Sequence, residues 1–150
     1  MPYIVACDES LFDEAAMSCV DEIIGVHPAL PRIDSDVLRG CIQACAACGQ
    51  ACAACADACL SEPQFAKLVR CVRLNLDCAD LCTAATHILL RQTQPDARVL
   101  TSVLQAVVVA ARVCGMECDR HAGRHEHCRM CAMACQHCER ACCELLRAGP

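Results

Sequence analysis

The stretch Cys41-Ile42-Gln43-Ala44-Cys45-Ala46-Ala47-Cys48-Gly49-Gln50-Ala51-Cys52-Ala53-Ala54-Cys55-Ala56-Asp57-Ala58-Cys59 decides the fold. Its cysteines recur at intervals of 4, 3, 4, 3 and 4 residues. With that spacing one stripe of an α-helix meets its neighbours in a bundle, at positions that Leu and Ile ordinarily fill. The alanines between them favour helix and allow close approach beside the thiols. A second run, Cys128, Cys131, Cys135, Cys138 and Cys142, repeats the rhythm at 3, 4, 3 and 4. At 1.5 Å per residue the first stripe is roughly 27 Å long, which suits many small ligand sites along an axis better than one.

Working outward, turn signals divide the chain. His27-Pro28-Ala29-Leu30-Pro31 ends a short leading helix over about residues 10–24, whose Leu11, Ala15, Val20 and Ile23 are expected to pack on a larger unit. Asp34-Ser35-Asp36 offers an N-cap to the first long helix. Ser61-Glu62-Pro63 closes it and is expected to open the second, with Ser61 as cap. Thr93-Gln94-Pro95-Asp96 precedes the third and Gly123 the fourth, which ends near Ala148. No segment alternates with period two. The fold class is therefore all-α: an antiparallel up-down-up-down four-helix bundle with a short additional N-terminal helix. Residues 1–150 form one domain, with 1–33 as N-terminal helix and linker and 34–150 as the bundle.

The second long helix adds Cys71, Cys78 and Cys82 to the seam, with Asn75 among them. The third carries two registers, Leu100, Val107, Cys114, His121 and Leu104, Ala111, Cys118, His125. Aliphatic residues lie at one end, thiols in the middle and imidazoles at the other. Antiparallel order brings His121 and His125 to the end that holds Cys59, Cys71 and Cys128, which reads as an entrance. Cys7, Cys19 and Cys143 fall off the stripes and are read as small residues without a ligand role, as His27, His87 and His137 are read as solvated. His127 lies beside the entrance and is left open. Met116, Met130 and Met133 are expected to be core filler.

A net charge of −5 and only three aromatic residues argue against a nucleic-acid surface. The first residues lack a basic segment followed by an apolar one, and the apolar residues 99–111 are too few to span a bilayer. A cytoplasmic protein without a membrane partner is expected, and there dense cysteine points to metal or redox chemistry.

Sixteen thiols in register are more than packing requires. Disulfides between i and i+4 would close only tiny loops, and none of the four Cys-x-x-Cys pairs follows a strand. Tetrahedral zinc needs four convergent ligands, where two or three sulfurs per layer are expected along much of the bundle. A di-iron site needs Glu-x-x-His, which does not occur in the chain. Soft Cu(I) accepts two or three sulfurs. Each Cu(I) that replaces a thiol proton also leaves the core neutral, so many can be buried together. A general thiol-rich buffer for zinc or another soft metal remains the alternative reading, and a redox dithiol protein a more distant one.

The Cys41 to Cys59 helix, together with the run Cys114, Cys118, His121, His125, Cys128, Cys131, Cys135, Cys138 and Cys142, resembles the bacterial copper storage proteins, and in particular their cytosolic branch. The resemblance covers about residues 34–148. It implies a homotetramer of four-helix bundles that stores many Cu(I) ions and is not an enzyme. The candidate ligands are Cys41, Cys45, Cys48, Cys52, Cys55, Cys59, Cys71, Cys78, Cys82, Cys114, Cys118, His121, His125, Cys128, Cys131, Cys135, Cys138 and Cys142.

Overall fold

In the computed structural model, which describes residues 19–29 and 32–150, the elements are α1 (Cys19–Gly25), α2 (Ser35–Ser61), a 3-10 turn at Phe65–Leu68, α3 (Val69–Leu89), α4 (Ala97–His121) and α5 (Glu126–Ala148). Most of the expected leading helix, with Leu11 and Ala15, and Cys7 lie outside the described residues. Helices α2 to α5 each pack on the next, and α5 closes back on α2, so the all-α antiparallel bundle is as expected.

Local chemistry sets the boundaries. Asp34 Oδ1 accepts from the backbone N–H of Asp36 at 2.9 Å and of Val37 at 3.2 Å, which caps α2. Asp96 caps α4 in the same way, accepting from Arg98 N–H at 2.9 Å. Helix α2 stops at Glu62, held extended at φ −74°, ψ 140°, because Pro63 excludes the helical conformation from the residue before it. Ser61 is not the cap of the next helix. Its hydroxyl donates back to Asp57 O at 3.4 Å, and α3 begins only after the 3-10 turn, without a side-chain cap.

Helix α1 departs from expectation. Val20 and Ile23 are exposed, while Ile24 and Asp21 are buried, and Asp21 accepts from Gln43 Nε2 of α2 at 3.0 and 3.2 Å. The methionines differ as well. Met116, Met130 and Met133 are all more than half exposed, so they fill no core. Residues 99–111, short when read alone, lie within α4, which like α2 is long and apolar enough to cross a membrane by length and composition. In both helices that apolarity includes the seam residues packed inside the bundle.

At the end remote from the histidines, Leu38, Leu89, Leu100, Leu104 and Leu145 are buried together and close the bundle with hydrocarbon. Neither this cluster nor the helix-favouring backbone draws on a metal ligand. Reduced, metal-free protein is therefore expected to show strong helical circular dichroism. Leu104→Ala, which empties a fully buried site, should lower its stability by about 2–5 kcal/mol in chemical denaturation.

Candidate metal centre

The sixteen seam cysteines are all buried, none more than 3% exposed. Cys19 is exposed and Cys143 half-buried, off the seam as the sequence indicates, and every described cysteine is a free thiol. The sulfurs form a column in two runs. The inner run starts with Cys142, whose Sγ lies 3.7 Å from Cys41 and 3.6 Å from Cys45. It continues through Cys138, 3.8 Å from Cys45 and 3.9 Å from Cys82, and through Cys78 to Cys48, two steps of 3.9 Å. Cys48 meets Cys135 at 3.8 Å and Cys52 at 3.9 Å. Cys52 then meets Cys131 at 3.7 Å and Cys114 at 4.0 Å. The outer run links Cys118, Cys71, Cys59, Cys128 and Cys55 at 3.6 to 4.0 Å.

Asn75, fully buried, stands between the runs. Its Nδ2 donates to the backbone carbonyl of Cys71 at 2.9 Å. A carbonyl can only accept, so the amide orientation is fixed. The same nitrogen lies 3.4 Å from the sulfurs of Cys71 and Cys118, while Oδ1 accepts from Cys131 at 3.0 Å and Cys114 at 3.5 Å.

Several groups of donors converge within 4.8 Å of one another: Cys48, Cys52, Cys78, Cys135; Cys52, Cys114, Cys131, Cys135; Cys55, Cys59, Cys128, His127; and the triplets Cys41, Cys45, Cys142 and Cys48, Cys82, Cys138. The quartets correct the expectation of two or three sulfurs per layer. Tetrahedral zinc–thiolate bonds of 2.3 Å imply sulfurs about 3.8 Å apart, so spacing alone does not exclude zinc. Charge and sharing speak against a series of such sites. Cys52 and Cys135 belong to both sulfur quartets, and each divalent ion on four thiolates would leave excess negative charge in a dry core.

The histidines take separate places at the mouth. His121 Nε2 is 3.4 Å from Glu117 Oε1, and Glu117 is also held by Arg70 and Arg120, each at 3.3 Å. His125 does not continue α4 but is the N-cap residue of α5, with Nδ1 2.9 Å from Glu62 Oε1. Both line a mouth cavity of about 480 Å³ with Glu62, Lys67, Leu68 and Arg124. His127 is the imidazole that reaches the sulfurs. Its Nδ1 is 3.5 Å from Cys55 and Cys128 and 4.0 Å from Cys59, and its Nε2 is 3.0 Å from Glu62 Oε1. The sequence signal for His127 was its adjacency to Cys128; its single step off the stripe concealed it. A larger outer groove of about 770 Å³ between α2 and α5 meets the column only at Cys41.

The thiols titrate according to their neighbours. Burial, ahead of the nearby Cys59 and Cys118, pushes Cys128 up to about 12. The S–H bond with Cys142 leads the causes that hold Cys41 above its ordinary value, and that with Cys118 does the same for Cys71. Cys118 is drawn below its ordinary value, chiefly by the neighbouring Cys114 and further by Cys55 and Cys71. His127 and His125 hold the Glu62 carboxyl below the usual range. A disulfide reagent is expected to modify Cys19 and Cys143 of the native reduced protein quickly, and the seam thiols only after unfolding. Rapid modification of the seam in the native state would contradict this burial.

A family model described as copper storage protein matches residues 34–147. A solved structure of the copper storage protein Ccsp from Streptomyces lividans, loaded with 10 copper equivalents, is 51% identical, with a TM-score of 0.84 over 86% of this chain and 98% of that one. A second, of a cytosolic copper storage protein from the same organism with five coppers, is 55% identical, with a TM-score of 0.74 over 75% of this chain and 93% of that one. The uncharacterized cysteine-rich protein YhjQ of Bacillus subtilis (strain 168) is 35% identical over 102 residues, 68% of this chain and 89% of its own length. With thiol spacing, helix order and buried sulfur column all in accord, the chain belongs to the copper storage protein family.

Proposed function

We propose that this protein stores copper as Cu(I) in the cytoplasm, binding many ions on the thiolates of the bundle core and catalysing no reaction. The observation that carries this reading is the continuity of the sulfur column within each of its two runs. Successive sulfurs lie 3.6–4.0 Å apart from Cys142 to Cys114, so neighbouring ions can share bridging thiolates as soft monovalent copper does. Each ion enters by exchange, Cu⁺ plus Cys–SH giving Cys–S–Cu plus H⁺, and the core gains no net charge.

All eighteen ligands named from the sequence keep their place in this proposal, Cys41 to Cys142 as storage sulfurs and His121 and His125 as residues of the entrance. His127 joins them, since its Nδ1 faces the outer sulfurs. The copper-loaded Streptomyces lividans relatives support copper as the cargo. A homotetramer is part of the proposal, and the apolar strip between α3 and α4, where Val109 and Val113 are exposed beside half-buried Leu74, Leu81 and Ala110, offers it a contact.

Anaerobic titration of the reduced protein should saturate on the order of one Cu(I) per seam thiol, with about one proton released per copper wherever the thiol was protonated. Saturation after one or two ions, or tight uptake of zinc with weak uptake of copper, would favour the thiol-rich buffer instead. Replacing both His121 and His125 with Ala should change the rate of loading or removal and leave most of the capacity, as followed by stopped-flow transfer from a Cu(I) chelator. Light scattering should give the mass of four chains, and Val109→Glu should reduce it.

A further inference from the structure

We infer that Glu62 is a positioning residue that sets opposite tautomers on His125 and His127, so that His127 presents an unprotonated Nδ1 to the outer sulfurs. The inference rests on the copper-storage reading for its purpose and on the geometry of the mouth for its content. One oxygen, Glu62 Oε1, lies 2.9 Å from His125 Nδ1 and 3.0 Å from His127 Nε2. A carboxylate oxygen only accepts, so each ring nitrogen that faces it carries the hydrogen. A neutral imidazole has one such hydrogen. His127 is then Nε2–H with its lone pair on Nδ1, and His125 is Nδ1–H with its lone pair on Nε2.

That choice matters at His127. Its Nδ1 lies 3.5 Å from the sulfurs of both Cys55 and Cys128, and in the other tautomer a hydrogen would occupy the only position from which the ring can bind an ion. A carboxylate that holds the far nitrogen of a ligating histidine is the usual outer partner of a metal site, fixing both tautomer and ring orientation. Glu62 suits the task because Pro63 holds its backbone extended at the end of α2, immediately beyond the Cys55–Cys59 turn. The two ring centroids are 5.5 Å apart, and His125 also lines the mouth cavity. One carboxylate thus orders a short path from the cavity through two imidazoles to the first sulfurs.

The test begins on metal-free protein. Long-range proton–nitrogen NMR, recorded where the imidazoles are neutral, should show His127 protonated at Nε2 and His125 at Nδ1. Glu62→Gln retains an oxygen able to accept both hydrogens and should keep this pattern, whereas Glu62→Ala should give mixed tautomers at both rings. With Cu(I) supplied anaerobically as its bicinchoninate complex, Glu62→Ala should take up its first equivalents about 10- to 100-fold more slowly or weakly, Glu62→Gln should recover most of the loss, and total capacity should not change. His127 protonated at Nδ1 in the wild type overturns the inference. So does a Glu62→Ala protein with wild-type tautomers, or one with altered tautomers and unaltered uptake. Helical circular dichroism verifies that each variant folds. A wild type that takes up no copper would instead defeat the storage reading, while the tautomers of the metal-free protein would still be measured.

Discussion

The whole structure depends on the dual character of the thiol. Protonated, it packs as a small apolar group with a weak donor and can line a dry seam as Val or Ala would. Deprotonated, it is a strong ligand for a soft ion. A bundle whose seam is built from such groups can fold before loading and fill afterwards without rearranging its helices. The hydrocarbon cap of Leu38, Leu89, Leu100, Leu104 and Leu145 supplies apolar packing at one end, and the column from Cys142 to Cys59 occupies the rest.

Sulfur separations near 3.6–4.0 Å are the second constraint. They are contact distances between thiols, yet they allow one small ion to lie between two or three sulfurs. Geometry alone leaves the choice of metal open, since the quartets around Cys48, Cys52 and Cys135 would also suit zinc. Electrostatics separates the two ions. Exchanging one proton for one monovalent ion keeps the interior neutral at every stage of filling, whereas divalent ions on shared thiolates would need charge compensation that the apolar surroundings do not offer. Asn75 is the one side-chain amide in the column, and every polar atom of its group has a partner.

The bundle was legible in the sequence because a stripe at 4- and 3-residue spacing has only one regular structure that buries it. The capping roles of Asp34 and Asp96 were legible for the same local reason. Ser61 misled, because its hydroxyl found Asp57 O within its own helix and Pro63 forced an extended turn before α3 could begin. Periodicity also misplaced His125: the register of α4 carries it inward on paper, but the helix ends at His121 and the chain turns before Glu126. His127 was hidden by the converse effect. It sits one residue off the Cys128 stripe, and only the start of α5, tied to Glu62 at the end of α2, swings its ring over the sulfurs. Neither outcome lies within one helix, and pattern reading works within one helix at a time.

The mouth shows why these tertiary details bear on function. A thiol column sealed on all sides could store an ion but not admit one, so some polar, hydrated surface must touch it. Polar groups beside an apolar core are costly unless each has a partner. Here the partners are carboxylates at the end of α2 and in α4: Glu117 for His121, and Glu62 for His125 and His127. Each imidazole is thereby oriented by one nitrogen and left with the other to offer. Borderline nitrogen ligands at the water boundary give way to soft sulfur ligands inside, an order that draws a soft ion inward because each step exchanges a weaker partner for a stronger one. The far end has no such gradient: the outer groove touches the column there only at the buried Cys41, hydrocarbon closes the rest, and so the column has a direction.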